Sequence, residues 1–195
     1  MGRPRTIDRE AVLDAAQRVV ARDGAAQLTL EAVAAEAGIS KASVLYDYKT
    51  KQALMKAVIE RRIAAEDVRI RAIEEKLGPV RNAAIRARLA SELRVLSDED
   101  RAVALSLCAM VAEDAELRKP IQDMMNRRIS KVLTTSEQPR GALLTFLAIE
   151  GLMALEWLGL HRWPLEERDA LIAEMRWLAD QKPERLACDR SALSP

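Results

Sequence analysis

A tight turn between two short apolar segments constrains this chain more than any other feature. A small residue, Ala34, lies four positions before Gly38, and Val44 follows Gly38 by six positions. Two short helices that cross steeply need all three, because Ala34 lets the helices approach, Gly38 takes the turn conformation and Val44 fills the angle between them. The spacing therefore predicts two helices joined by a turn. Taken alone, it fits an ordinary corner between helices equally well.

The composition indicates that the rest of the chain is helical too. Of the 195 residues, 49% are hydrophobic and 31% are charged. Ala, Leu, Arg and Glu dominate, and all four are good helix formers. β-branched residues do not cluster in short alternating runs, so strands have little support. We predict an all-α fold with an N-terminal three-helix helix-turn-helix domain and a larger helical bundle.

Capping residues, glycines and prolines divide the chain into nine predicted helices. The first begins at the cap Asp8 and stops at Gly24 in the left-handed conformation, and the last begins with Pro164. The nine helices cover about residues 8–23, 30–37, 40–47, 51–77, 79–96, 97–113, 115–135, 136–159 and 164–181. The predicted domains are 1–50 for the helix-turn-helix unit and 51–181 for the bundle. The tail over 182–195 has little to bury and is a candidate for disorder.

The charges are distributed unevenly along the chain. Residues 1–62 carry eleven Lys and Arg against eight Asp and Glu, and the remainder carries twenty against twenty-two. A mildly basic head on a mildly acidic body suits a protein that places only its N-terminal part on phosphate.

Other features exclude several classes of protein. No apolar segment follows the first residues, so we expect no secretory signal. The apolar stretch 143–160 is interrupted by Glu150 and Glu156, which favours a buried helix over a membrane span and a cytoplasmic protein. The two cysteines, Cys108 and Cys188, form no metal-binding motif, so no metal or cofactor is indicated. Cys108 is predicted to be a small buried hydrophobe.

The sequence around the turn carries a family resemblance. Residues 29–54 read TLEAVAAEAGISKASVLYDYKTKQAL. This segment resembles the DNA-binding domain of the tetracycline-repressor family over residues 40–41 and 45–54, and the likeness is specific over about residues 8–56. Beyond those residues it consists of helix number and order only. The resemblance implies that the third helix lies in the major groove of double-stranded DNA and that the second crosses the backbone.

The chemistry of the third helix agrees with that role. Ser43 can exchange hydrogen bonds with base edges, Ala42 can touch a thymine methyl, and Lys41 can reach guanine or phosphate. Thr29, Ser40 and Lys51 lie at helix N-termini, where amides and cations converge on phosphate, although the hydroxyls also serve as simple caps. The predicted DNA-binding residues are Arg3, Arg5, Thr29, Ser40, Lys41, Ala42, Ser43, Tyr46, Lys49 and Lys51.

The segment before the first helix and two positions of the third helix carry separate expectations. Arg3 and Arg5 precede the first helix and either enter a narrow minor groove or form a charged, disordered leader. The family often has Tyr at the position of Leu45, and here Tyr46 is expected to take over its backbone contact. The family commonly has His at the position of Asp47. A carboxylate repels phosphate, so Asp47 is expected to point away or to read a cytosine amino group, and it is not counted as a contact.

The second domain is predicted to dimerise and to bind a ligand. A single helix-turn-helix contacts too little DNA to be selective, and the helix over 141–159 is apolar nearly all round, so it needs partners on every side. The resemblance implies a homodimer through the last two long helices, which would bind a palindromic operator. The residues proposed to contact an unknown small-molecule effector are Cys108, Met110, Met124, Met125, Phe146, Glu150, Met153 and Trp157. Each is also a candidate for plain core.

Glu150 is the most informative of this set, because a carboxylate on an apolar helix needs a partner. The expected partner is an internal arginine such as Arg127 or Arg128, and a cationic or hydroxylated effector is the alternative. We expect the effector cavity between the helices over 51–77, 97–113, 115–135 and 141–159.

Two other functions are the alternatives for this chain, an enzyme and a DNA-binding dimer without an effector. Cys108, His161 and Glu150 could supply the parts of an enzyme active site, but the chain has one His and no glycine-rich loop, so no enzyme is expected. A DNA-binding dimer without an effector would have a solidly filled second domain. The sequence favours a transcriptional regulator, a repressor released from its operator by a small molecule.

Overall fold

The computed structural model describes residues 8–93 and 97–183. In these ranges the chain forms nine α-helices and no strand, which confirms the predicted all-α fold. A short 3-10 helix over Ala25–Gln27 separates the first two α-helices. The helices are α1 (Arg9–Asp23), α2 (Leu30–Ala37), α3 (Lys41–Asp47), α4 (Lys51–Leu77), α5 (Ala83–Ser91), α6 (Asp98–Glu113), α7 (Ala115–Thr135), α8 (Pro139–Trp157) and α9 (Leu165–Leu178).

Side-chain caps fix the starts of α2, α3 and α4. Thr29, Ser40 and Thr50 each accept a hydrogen bond from the backbone N–H three residues later, at 3.0 to 3.1 Å. Such a cap contributes about 1 kcal/mol. Gly38 takes the left-handed conformation, with φ 66° and ψ 31°, at the turn between α2 and α3. The predicted helix-turn-helix is therefore formed by the signals that indicated it.

Several details of the predicted helix ends are wrong, although α1 ends at Asp23 as predicted. Gly24 ends α1 with φ 82° and ψ 157°, which is outside the left-handed helical region. Pro164 is the N-cap of α9 and not its first residue. The helix predicted over 79–96 covers only Ala83–Ser91. It starts late because Asn82 has a φ of 54° and its buried side chain is hydrogen-bonded to the C-terminal end of α9. Its amide donates to the Ala179 carbonyl and to Asp180, at 3.2 and 2.7 Å.

The hydrophobic side chains form two clusters. The first, here the head core, joins α1 to α3 with the N-terminal half of α4, with α6 and with the start of α7; Val19, Val44, Leu54, Val103 and Leu117 belong to it. The second, here the body core, joins α5, the end of α7, α8 and α9. The domain boundary at residue 50 stays a prediction. The N-terminal half of α4 packs in the head core. The predicted tail from residue 184 onward lies outside the described residues.

The N-terminal end of α8 packs closely against the C-terminal end of α9. A Cβ on Gly141 would collide with the Gln181 carbonyl oxygen and would lie 2.6 Å from that of Leu178. Only glycine fits this contact without a shift of backbone. Among the described helices, none is long and apolar enough to cross a membrane, and this includes α8.

Gly141→Ala is expected to lower the free energy of unfolding by about 1–3 kcal/mol, because the added methyl group meets backbone atoms that cannot rotate away. In an open helical site the same change would stabilise the protein by about 1 kcal/mol. The two cases therefore differ in sign. Urea unfolding of the two proteins measures the difference, and a variant as stable as the parent would contradict the close packing.

Candidate functional site

The outer side of α3 is a polar, solvent-exposed surface. Lys41 and Ala42 are exposed, Ser43 is half-buried, and Tyr46 is 75% exposed. On the opposite side Val44 is buried in the head core. The structure thus brings four of the residues predicted to contact DNA onto one accessible side of one short helix.

Residues at the neighbouring helix starts surround this surface. Thr29 and Ser40 are exposed caps, and the Ser40 hydroxyl lies 2.8 Å from that of Ser43. The Lys49 ammonium lies 5.7 Å from the centre of the Tyr46 ring, a cation–π distance. Lys51, in the first turn of α4, donates a hydrogen bond of 2.9 Å to the Ala26 carbonyl and is half-buried. Arg3 and Arg5 lie outside the described residues.

The acidic side chains near α3 are paired with cations. Asp47 accepts a hydrogen bond of 2.9 Å from the Arg9 guanidinium, and its side chain is 6% exposed. This contact holds the carboxylate away from solvent, in line with its exclusion from the predicted contacts. Lys41 pairs with Glu31, and this hydrogen bond lowers the pKa of the Glu31 carboxyl group. Leu45, at the position where the family often has Tyr, packs against the head core.

A half-open cavity of about 190 Å³ lies between α4, α5, α7 and α8. The expectation that α6 would form one wall is wrong, because α6 contributes Val103 and Leu107 to the head core and α5 takes its place. The apolar lining consists of Ile70, Ala84, Met124, Val132 and Phe146, and the charged lining of Asp67, Arg71, Arg88, Arg127, Arg128 and Lys131.

The structure places the proposed ligand residues in several environments. Met124 and Phe146 line the cavity, whereas Met110 packs against the head core. Met153 belongs to the body core, and Met125 and Trp157 pack against it. Cys108 is exposed, so the prediction that it is buried is wrong; the buried residues of this helix lie on its other side.

Glu150 is paired with an internal arginine, as predicted, but this partner is neither Arg127 nor Arg128. Its carboxylate accepts a hydrogen bond of 2.9 Å from Arg88 on α5. Arg128 instead pairs with Asp67 on α4 at 2.8 Å, and Arg127 lies 3.9 Å from the same carboxylate. The error arose because α5 lies against α8, a tertiary contact that the sequence does not encode locally.

Arg88 is the main residue that sequence reasoning missed. Its side chain is 5% exposed, and it pairs with Glu92 as well as with Glu150. A signal was present in the sequence: Ala84, Ile85 and Leu89 form the apolar face of α5, and Arg88 falls on that face by helical spacing. A buried arginine between two carboxylates fixes α5 against α8.

The residues that an enzyme would need have other contacts. His161 packs edge-on against Trp163, with ring centres 4.3 Å apart, and Glu150 is held by Arg88. Within the described ranges, no group of three His, Cys, Asp or Glu side chains is arranged to hold a metal ion.

Comparison with known proteins identifies the class of the chain. Residues 12–58 match the model of bacterial regulatory proteins of the tetR family, and residues 82–180 match that of the tetracyclin repressor-like C-terminal domain. With the exposed face of α3, these matches define a helix-turn-helix transcriptional regulator that binds DNA. The chain belongs to the tetR family of bacterial regulatory proteins. Its members are transcriptional regulators and not enzymes.

Solved structures show the same fold at low sequence identity. A transcriptional regulator from Rhodococcus sp. Rha1 has a TM-score of 0.71 and 19% identity, covering 88% of this chain and 95% of that one. A transcriptional regulator from Saccharomonospora viridis in complex with choline has a TM-score of 0.66 and 18% identity, covering 86% of this chain and 93% of that one. The multidrug binding protein EbrR complexed with malachite green has a TM-score of 0.69 and 22% identity, covering 88% of this chain and 98% of that one. No curated protein matches the chain significantly.

Replacing Arg88 tests its role in holding α5 against α8. Arg88→Met leaves two carboxylates without their buried partner and is expected to lower the free energy of unfolding by about 3–5 kcal/mol. Lys119→Met is the control, because Lys119 is exposed and lies 3.7 Å from Asp123 on the same helix. An exposed pair of this kind contributes at most about 1 kcal/mol. Chemical unfolding compares the two, and equal small losses would contradict the structural role of Arg88.

Proposed function

We propose that the chain is a repressor that binds a palindromic DNA operator as a homodimer and leaves it when a small molecule occupies the cavity. The observation that carries this proposal is the course of α4. This helix follows the recognition helix α3 after Tyr48, Lys49 and Thr50, and its C-terminal half contributes Asp67, Ile70 and Arg71 to the cavity wall. A ligand that displaces this half moves the DNA-binding head with it.

The exposed face of α3 supports the DNA-reading part of the proposal. Ser43 and Ala42 are the side chains proposed to meet base edges, while Thr29, Ser40, Lys49 and Lys51 surround them as phosphate contacts. The pairing of Asp47 with Arg9 and of Glu31 with Lys41 reduces the negative charge next to that face. In a dimer the two recognition helices would lie about 34–36 Å apart, one turn of B-DNA.

Substitutions at Lys51 and Ser43 are expected to have different consequences. Lys51→Ala removes a phosphate contact, so it should weaken binding to all sequences alike and lower the salt slope by about one unit. Ser43→Ala removes a base contact, so it should change the preference at one position by about 1–3 kcal/mol. Binding to an operator selected from random DNA, measured by fluorescence anisotropy at several salt concentrations, distinguishes the two.

Lys51 also donates to the Ala26 carbonyl, so thermal unfolding of Lys51→Ala without DNA is the necessary control. A loss of affinity without a loss of stability supports the phosphate role. Altered base preference in Lys51→Ala would show that the two roles are wrongly assigned.

An uncovered apolar strip supports dimerisation through α8 and α9. On α8 the exposed residues Leu147, Leu155 and Leu158 recur at helical spacing, with the small residues Gly151 and Ala154 among them. On α9 the apolar side chains of Leu165 and Trp177 are also exposed. Small residues let two helices approach closely, and a second copy of the chain would cover the same strip on both subunits.

Leu158→Arg is expected to convert the dimer into a monomer, because it places a charge in an apolar interface. The side chain is 42% exposed in the single chain, so the substitution does not disturb the chain's own core. Leu105→Arg on α6 is the matched control, since Leu105 is similarly exposed outside the strip. Sedimentation at micromolar concentration should show a monomer for the first variant and a dimer for the second. A dimeric Leu158→Arg protein would overturn the proposed interface.

The cavity favours a ligand-responsive regulator over a DNA-binding dimer without an effector. Solved structures of this fold include complexes with choline and with malachite green, which supports a ligand at the body of this chain. A ligand shifts the head only through its preference for one head spacing, with a coupling of roughly 1–3 kcal/mol. Action on chromosomal DNA is consistent with a cytoplasmic location. Operator affinity that does not change when a cavity ligand saturates the protein would refute the release mechanism.

A further inference from the structure

We infer that the ligand of the cavity is a small organic anion, a carboxylate attached to an apolar body about the size of a benzene ring. This inference rests on the proposed function, because it names the chemical class of the effector. It depends on three features of the wall: its charge, its unpartnered hydrogen-bond donors and its apolar part.

The charges that line the cavity are mostly positive. Five cationic side chains line it against one acidic side chain, Asp67. The carboxylates that pair with Arg88 and Lys131 belong to Glu66, Glu74, Glu92 and Glu150, and none of these lines the cavity. Arg88 and Lys131 therefore contribute to the cavity wall while their counter-ions do not, and the attraction of an anion increases as its distance from a cation falls.

Arg71 is the lining cation whose charge is least balanced by nearby carboxylates. It lies on α4 and is exposed, and no described residue forms an ion pair with it. Arg127 has only the 3.9 Å approach to Asp67, and its side chain is also largely exposed. Both guanidinium groups are available to a carboxylate at the mouth of the half-open cavity.

Two buried donors in the wall lack acceptors. The Nε–H groups of Arg88 and Arg128 are buried, and no described residue accepts a hydrogen bond from them. The Arg88 side chain is only 5% exposed, so water does not readily accept a hydrogen bond from its Nε–H group. Since both Nε–H groups are buried from the cavity as well as from solvent, the hydrogen bonds to a ligand are expected from the exposed guanidinium groups of Arg71 and Arg127. A carboxylate only accepts hydrogen bonds and can take them from two arginines at once, whereas an ammonium has only donors to offer.

The remaining wall selects an apolar body of limited size. Phe146, Met124, Ile70, Val132 and Ala84 line one part of the cavity. Its volume of about 190 Å³ slightly exceeds the ~150 Å³ apolar cavity that takes up benzene. An inorganic anion would leave these side chains without contacts, so a benzoate-like or medium-chain carboxylate fits better than phosphate.

Three compounds with the same ring test the charge requirement on the full-length protein. Isothermal titration calorimetry compares benzoate, neutral benzamide and cationic benzylamine, with octanoate and inorganic phosphate as further probes. We expect benzoate or octanoate to bind at least about tenfold more tightly than benzamide, and benzylamine to show no binding. Equal or tighter binding of benzamide or benzylamine, binding of phosphate alone, or no binding of either carboxylate would overturn the inference.

A matched pair of variants tests where the anion binds. Arg71→Gln should weaken carboxylate binding about tenfold, the loss expected for one charge-assisted hydrogen bond, and should leave benzamide binding unchanged. Lys119→Gln removes an exposed cation on α7 outside the cavity lining and should leave carboxylate affinity within about twofold. Arg88→Gln is less suitable, because it also removes a buried ion pair. Equal effects of Arg71→Gln and Lys119→Gln would show that the anion binds elsewhere.

Operator binding is measured separately, so the two proposals can fail independently. Release of the protein from DNA by a neutral or cationic compound, without an effect of carboxylates, would refute the anionic effector and leave the repressor intact. Failure to select any DNA sequence would refute the proposed function, while calorimetry would still decide the class of the ligand.

Discussion

The structure depends on one helix that runs from the head core to the wall of the cavity. With 27 residues α4 is about 40 Å long, so it passes from the head to the body without a break. Its first turns bury Leu54 and Val58 in the head core, and Arg61 then ties it to α1 through Asp14 at 2.7 Å. Further along, Asp67 and Ile70 reach the cavity. Since an α-helix resists bending, the proposed release mechanism would transmit a displacement at the cavity to the recognition helix.

The head is attached to the body at a second place, and this determines what α4 can do. Val103 and Leu107 of α6 pack into the head core, and Gln52 at the start of α4 donates to Asp114, the cap of α7, at 2.7 Å. The head therefore cannot rotate freely about α4. A ligand that moves the C-terminal half of α4 must also slide it past these contacts, which favours two discrete arrangements of the head over a continuous range.

The head could be predicted from the sequence almost residue by residue, because its signals are local. Thr29, Ser40 and Thr50 cap the helices that they precede, and Gly38 makes the turn. The cavity could not be predicted in this way. Its walls depend on which helices meet in three dimensions, so α6 was expected where α5 lies. Its key residue, Arg88, pairs with a carboxylate 62 positions away, and nothing near Glu150 in the chain identifies that partner.

The arrangement around Arg88 explains how a cavity can remain positively charged inside a folded domain. A buried guanidinium without a partner would destabilise the fold, but Glu92 and Glu150 already compensate for most of the desolvation of Arg88. The site thus holds its cation in place before any ligand arrives, and its Nε–H remains without an acceptor. An incoming carboxylate does not have to break these pairs. In the proposed complex it would instead draw in Arg71, which is exposed and lies on α4. In the proposed complex, the binding energy of the anion would therefore be applied to the helix that carries the head.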